Sequence, residues 1–428
     1  MTHRRWLRII PVAFLMYTIA FIDRTNVSLA LPSMTRDLNL SPTQGGLAAG
    51  IFFWGYLVLQ VPGGYLAHRW SAKKFISILL VVWGLCSAAT GFVHSGNEFL
   101  AMRLLLGVAE GGVWPATLVL LANWFPRGER ARANAYWMLC LPVAVVASSP
   151  LSGWILARWN WRVLLVSEGL FPILWLAIWL WQVSDYPHQA PWISSEERGY
   201  LETTLNAEAA HLKASEPDIQ RAGSGILRAL VHPQVLILVL VYFLDTTGNY
   251  GLLFWLPTVI EKAGHVTSFH TGLLFAIPYL IAIVGMVLLS NHSDARLERR
   301  GHVAVALAWA GIFMMAGVLA SAKPGILSYC LVALVGAGSY SFLGPFWTIP
   351  SETLPKNVAG AAMGLINSVG NLGGFFGPLL VGYLNQRTGS FKLAFGLLAA
   401  GWLIDAFFAV TFISVRKPAP HADKGAAG

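Results

Sequence analysis

Apolar stretches of about 20 residues recur along the whole chain, separated by short polar connections rich in arginine. Each is long enough to cross a hydrocarbon layer roughly 30 Å thick as a helix rising about 1.5 Å per residue. The pattern predicts twelve spans, at 7–32, 45–67, 75–94, 98–125, 134–157, 163–183, 233–260, 270–290, 302–321, 326–350, 358–384 and 392–415. An all-α polytopic membrane protein follows. One long polar interruption divides the spans into six plus six, which predicts an N-terminal six-helix bundle over 1–183, a linker over 184–232 and a C-terminal six-helix bundle with its tail over 233–428. Within the linker, Ser195 opens a mixed-charge, helix-forming run that predicts an amphipathic surface helix, and EPDIQRAGSG after it reads as flexible.

Composition agrees with the pattern: of 428 residues, 56% are hydrophobic and only 11% charged, with a mean hydropathy of +0.60. Orientation comes from counting Lys and Arg by loop, because positive loops stay cytoplasmic. One side carries 20 of the 29, including Arg4, Arg5 and Arg8, Arg69, Lys73 and Lys74, Arg127, Arg130 and Arg132, and Arg296, Arg299 and Arg300. The other side carries seven, and Arg24 and Arg103 fall inside spans. Both termini are therefore expected in the cytoplasm. The first span has no small-residue cleavage site and reads as a retained helix. The net charge of +9 sits in short loops where anionic lipid suffices, so nucleic acid is not an expected partner. The three cysteines lie within spans with no metal spacing, and the histidines form no HExxH-like pattern, so neither a metal nor an enzyme is expected.

Four charges stand where hydrocarbon tolerates them least: Asp23 and Arg24 in the first span, Arg103 and Glu110 in the fourth. On insertion scales such groups cost about 2.5–3.5 kcal/mol each, so they persist mainly where they face a polar cavity or one another. Arg103 and Glu110, seven residues apart, differ by about 20° around a helix, with Gly107 and Gly111 on that face to admit a neighbouring helix closely. Asp23 and Arg24 differ by about 100°, which sets Arg24 toward a substrate and Asp23 toward Arg103. A guanidinium holds a carboxylate through two parallel hydrogen bonds and keeps its charge, so an anionic substrate suits these arginines. A permanent ion-pair cluster that only pins the bundle is the purely structural alternative.

The second half offers neutral polar groups: Asn249 and Tyr250 in the seventh span, Ser339, Tyr340, Ser341, Trp347 and Thr348 in the tenth, Asn367 and Asn371 in the eleventh. Asn367 and Asn371, one turn apart, either contact ligand or bond helix to helix. Tyr56 and Trp347 line the cavity or simply pack. Asp245 is either a second proton or gating group or is satisfied by Thr246, Thr247 or a neighbouring helix; Asp405 poses the same choice. Glu168 is expected to pair with Arg158 or Arg162.

The halves also echo each other, GGYLAHRWSAKK against SNHSDARLERR and SPLSGWILARWNWR against GPLLVGYLNQRTGS. FIDRTNVSLA in the first span, GYLVLQVPGGYLAHRW in the second, RLLLGVAEGGVWPA in the fourth, WFPRGERARANA after it and GLINSVGNLGGFFGPLLVGYL in the eleventh resemble the major facilitator superfamily. Within it they resemble the anion:cation symporter branch of bacterial tartrate, hydroxyphenylacetate and sugar-acid permeases and vesicular carriers. The resemblance implies two pseudo-symmetric six-helix bundles, a bacterial inner-membrane location, a monomer and no cofactor beyond protons. It further implies inward symport of a small organic anion, with Asp23 and Glu110 as proton-coupling acids and Arg24 and Arg103 as substrate-binding residues. Tyr56, Asn249, Tyr250, Ser341, Trp347, Asn367 and Asn371 complete the expected substrate site. His68 stands where the family's second-to-third loop carries an aspartate, so that latch is expected to be weaker or pH-sensitive, whereas Asp294 and Arg296 remain in the matching loop. An uncoupled or exchanging anion transporter is the nearest alternative; a cation or drug exporter would favour acids without paired arginines.

Overall fold

The computed structural model describes residues 4–214, 232–264, 266–321, 325–353 and 356–413. The stretch 215–231, which holds the expected flexible part of the linker, and the tail after Ile413 lie outside the described residues. Regular structure among those described is helical throughout. The first span is α1 (Arg4–Asp37), the second a pair, α2 (Pro42–Val58) and α3 (Gln60–Arg69), bent by 40°. The third is α4 (Ala72–Thr90). The next three are each broken once: α5 (Gly96–Gly111) with α6 (Val113–Trp124), α7 (Arg127–Met138) with α8 (Cys140–Arg158), and α9 (Trp161–Gly169) with α10 (Phe171–Gln182). The linker helix is α11 (Ser195–Ala214). The second half runs α12 (Pro233–Gly264), α13 (Ser268–Arg296), α14 (Arg300–Ala320), α15 (Ile326–Ser339) with α16 (Leu343–Thr353), α17 (Lys356–Gly370) with α18 (Gly373–Thr388), and α19 (Lys392–Phe412). Among the described residues eleven helices, counting each broken pair once, are long and apolar enough to span a membrane, and the bent α2–α3 pair makes twelve.

Helix starts follow local chemistry. Ser41 accepts from the Gln44 N–H while the Gln44 side chain accepts from the Ser41 N–H, a reciprocal cap that begins α2. Ser71, Ser95, Asn160 and Thr267 cap α4, α5, α9 and α13 in the simpler one-bond form. The outer faces are apolar, with Leu174, Trp181, Leu288 and Phe407 exposed, which suits a bundle whose solvent is lipid.

The halves meet through α2 against α18, α8 against α13, and α1 against α12. At the end opposite the arginine-rich loops this contact is backbone on backbone. A Cβ on Gly46 would collide with the Pro378 carbonyl and one on Gly272 with the Ser149 carbonyl. At the other end, buried Arg5 donates to Glu129 (2.6 Å) at the start of α7 and to Glu197 (2.8 Å) on α11, tying the linker helix to the first span.

The two matching loops differ. His68 is exposed at the end of α3, and α4 is instead held by Asp185, which accepts from the Ser71 hydroxyl (2.5 Å) and the Lys73 N–H (2.8 Å). After α13, Asp294 pairs with Arg299 rather than Arg296, and Glu298 accepts from the Gly301 N–H (2.6 Å).

Candidate functional site

The fourth span can place two charged side chains on one face only if a neighbour comes close enough to cover them. A Cβ on Gly107 would strike the Phe52 carbonyl, and one on Gly111 the Tyr56 carbonyl, so α2 lies directly against α5. This close approach sets Phe52 and Tyr56 beside Arg103 and Glu110, with α1 closing the third side.

Arg24 occupies the centre. Its Nε donates to Glu110 Oε2 at 2.8 Å, and one terminal nitrogen donates to the Tyr17 hydroxyl at 3.3 Å, itself 3.4 Å from the Tyr56 hydroxyl. The guanidinium stands 4.6 Å from the Tyr56 ring centre and 5.2 Å from that of Phe52, where aromatic faces favour a cation. Arg103 also stands over the Phe52 ring, at 4.9 Å. It is fully buried, its Nε donates to the Ala48 carbonyl at 3.3 Å, and neither terminal nitrogen has a hydrogen-bond partner. Glu110 Oε1 is likewise unpartnered. With both acids ionised the four charges sum to zero, and Arg103 is acted on by Glu110 and Asp23 through space while hydrogen-bonded to neither.

Asp23 does not turn to Arg103. Its carboxylate accepts from the Trp83 indole N–H and the Ser87 hydroxyl (2.7 Å) on α4, with Asn26 one turn along at 3.4 Å. The angular offset from Arg24 is as expected, but the helix found in that direction is the third span, not the fourth. Glu168 also departs from expectation: it accepts from Ser152 (2.6 Å), while Arg162 donates to the Gly91 and Val93 carbonyls (3.0 and 2.6 Å). Six residues apart, Glu168 and Arg162 differ by about 120° around one helix and face different neighbours.

From the second half, Tyr250 packs edge-on against Phe53 at 4.5 Å and is electrostatically coupled to Arg24, so it belongs to the central group. Asn367 reaches across to Gln60 (3.3 Å), which donates to the Gly111 carbonyl (3.0 Å), and Asn371 donates back to the Asn367 side chain (3.0 Å). Both asparagines thus belong to one network beside Glu110. Asn249 donates to Asp245 (2.9 Å) and the Ser339 carbonyl (3.0 Å). Trp347 packs on Tyr242 at 5.2 Å. Ser341 returns its hydroxyl to the Ala337 carbonyl against Gly285, a helix–helix contact away from the charges. Asp245 is held by a neighbouring helix, accepting from Trp402 (3.1 Å), with Thr246 and Thr247 bonded to backbone instead. Tyr17, Phe52, Gln60 and Trp83 were missed in the sequence; only Gln60, a lone amide in an apolar run one turn beyond Tyr56, carried a signal there. Two surface crevices, around Pro233 and Thr353 and around Ser41 and Gln386, hold none of the four charges.

The sequence model of the Major Facilitator Superfamily matches residues 13–378. The chain belongs to the major facilitator superfamily. A "Putative tartrate transporter" of Agrobacterium vitis is 35% identical over 427 residues, covering 98% of this chain and 95% of that protein. A "Quinolone resistance transporter" of Acinetobacter baumannii is 33% identical over 392 residues, covering 90% and 88%. The crystal structure of a D-xylose–proton symporter matches with a TM-score of 0.75 at 18% identity, covering 95% of this chain and 98% of that one. Relatives and fold agree on a multi-pass membrane transporter of two related six-helix bundles, as this superfamily is built.

Proposed function

We propose that this chain is a proton-coupled symporter that brings a small organic carboxylate, either a tartrate-like hydroxy acid or an aromatic acid, into a bacterial cell across the inner membrane. The observation that carries this reading is Arg103: a fully buried guanidinium with both terminal nitrogens unpartnered, next to a second guanidinium already bound to a carboxylate. A bidentate carboxylate satisfies both nitrogens. Protonation of Glu110 dissolves its pair with Arg24 and frees that guanidinium for the anion's far end, so proton and anion enter together. Asp23, accepting from Trp83 and Ser87, is the second coupling acid. Release toward the cytoplasm, where both termini lie, follows when Glu110 loses its proton and recaptures Arg24. Rocking of one bundle against the other exposes the centre to each side in turn, with Tyr250 and the Asn367–Gln60 bridge carrying the second half's contribution. The purely structural reading of the charges is disfavoured because a cluster serving only as a pin would pair Arg103 as well.

The quinolone-resistance relative supports a second reading, export of an aromatic acid. Quinolones are themselves aromatic carboxylic acids, so the guanidinium suits both readings and direction separates them. The test uses purified protein in liposomes with an internal pH dye, an imposed inward proton gradient, and tartrate, 4-hydroxyphenylacetate and galactonate as probes. One anion is expected to accelerate acidification. Glu110→Gln should abolish that response while anion exchange continues, and Arg103→Lys should weaken the anion's effect about tenfold to a hundredfold through loss of the bidentate contact. Labelled anion entering without acidification would rule out symport, and net movement only toward the opposite side would favour export.

A further inference from the structure

The second half contains its own buried acids. Asp245 on α12 and Asp405 on α19 are 1% and 0% exposed, the charge of Asp245 acts on Asp405, and among the described residues no cation acts on either. They are set against each other by Trp402, which packs on Gly248 and donates its indole N–H to Asp245 at 3.1 Å, one turn before Asp405 on the same helix. The remaining groups around them are neutral: Asn249, and the phenols of Tyr242 and Tyr340. The membrane-embedded part of α14, which packs on α19, holds no ionisable side chain after His302, and in α18 the ionisable groups are Tyr383 and Arg387 near its far end. On α1, Arg24 acts on Tyr242 and Tyr250.

The two carboxyls are treated unequally. Asp245 accepts from two donors, Trp402 and Asn249, the arrangement that stabilises an anion. Asp405 accepts from none; both its oxygens are buried and unpartnered. Two adjacent carboxylates without a cation do not both ionise in so apolar a place, and the one lacking donors is the one that keeps a proton. The first half is built on a related plan. Phe21-Ile22-Asp23-Arg24-Thr25 on the first span matches Phe243-Leu244-Asp245-Thr246-Thr247 on the seventh, each aspartate accepts from an indole N–H, and each half carries a second buried acid on its sixth span, Glu168 or Asp405.

We propose that Asp405 and Asp245 form a second proton-binding site, separate from the Arg24–Glu110 centre. Asp405 holds the proton, leaving Asp245 the single negative charge of the pair. Asn249 joins Asp245 to the Ser339 carbonyl at the break in the tenth span, one residue from Tyr250, so the occupancy of this site bears on the side of the cavity that the second half supplies.

Infrared spectra of the purified full-length protein at neutral pH test this directly. The wild-type-minus-Asp405→Asn difference should contain the carbonyl stretch of a protonated carboxylic acid, shifted in D2O. Asn has the shape of the protonated acid and carries no charge, so the variant is expected to fold. Should it not be monodisperse, the difference against Asp405→Glu serves the same purpose, because the retained acid gives a displaced band. A carboxylate band in place of the protonated one would overturn the proposal, as would sodium-dependent thermal stabilisation abolished by Asp405→Asn. The spectrum is read on resting protein, so its outcome is independent of whether Glu110 couples transport to protons.

Discussion

In the first half a buried arginine has a carboxylate 2.8 Å away and aromatic rings stacked about it, whereas in the second half two buried acids have only neutral donors between them. Both halves descend from one plan of helices, yet one concentrates opposite charges and the other concentrates like charges. The difference teaches what each can respond to. Paired opposite charges come apart only when another ion takes one partner's place, which suits a site that takes up a proton and an anion together, as proposed. A pair of acids without a cation suits a site for protons. The asparagine bridge from Asn367 to Gln60 is a neutral contact between the halves beside the first of these centres.

The comparison breaks most severely at Arg24→Leu, which leaves Glu110 buried without its cation. That should lower stability by about 3–5 kcal/mol, read as a fall in thermal midpoint in detergent, and abolish uptake. The double variant Arg24→Leu/Glu110→Leu should regain most of the stability and none of the transport; a double variant as unstable as the single would show that the pair is not what holds these groups.

Removing the bridge is a smaller change. Asn367→Ala cuts the link to Gln60 and the side-chain bond from Asn371, which keeps its bond to the backbone carbonyl of position 367, with an expected cost of about 1 kcal/mol. Its coupling energy with Gln60→Ala, measured by a double-mutant cycle on thermal stability, should be of similar size; additivity within experimental error would remove the bridge from the account.

The smallest effect belongs to the loop after α13. Burial pushes the Glu298 carboxyl up, but the N–H groups of Gly301 and His302 and the His302 ring outweigh it and hold it below the usual carboxylate range. A lowered folded-state value means stabilisation that is complete above the unfolded carboxylate range and is lost as pH falls through the folded value. Because Glu298 is 45% exposed, Glu298→Gln should cost less than about 1 kcal/mol at neutral pH and flatten the acid side of the stability curve. A parallel displacement of that curve at all pH values would contradict this.

Much of the fold was legible because hydrophobic length alone marks a membrane span: the linker helix at Ser195 and the breaks among apolar runs follow from local signals. Part of the site was legible too. Arg103 and Glu110 share a face by simple rotation, and Gly107 and Gly111 announce the close approach of α2. Partners across helices were not. Asp23's direction could be drawn on a helical wheel, but nothing in the residues near it says that Trp83 and Ser87, some sixty residues on, occupy that direction. Ser341 has the composition of a ligand contact and spends its hydroxyl on its own helix because Gly285 brings α13 against it. Glu168 is expected from sequence to pair with Arg158 or Arg162, but helical phase turns it about 120° away from Arg162, toward Ser152.

The glycine contacts at the end opposite the arginine-rich loops have a consequence for selectivity. Where Gly46 meets Pro378 and Gly272 meets Ser149, the surfaces in contact are peptide backbone. If the proposed rocking parts them, every solute meets the same surface there, and such an entrance selects by its width and not by ranking one acid above another. On that proposal discrimination falls to the interior, and a change of diet for this carrier would be written in the residues around Arg103 rather than at its mouth.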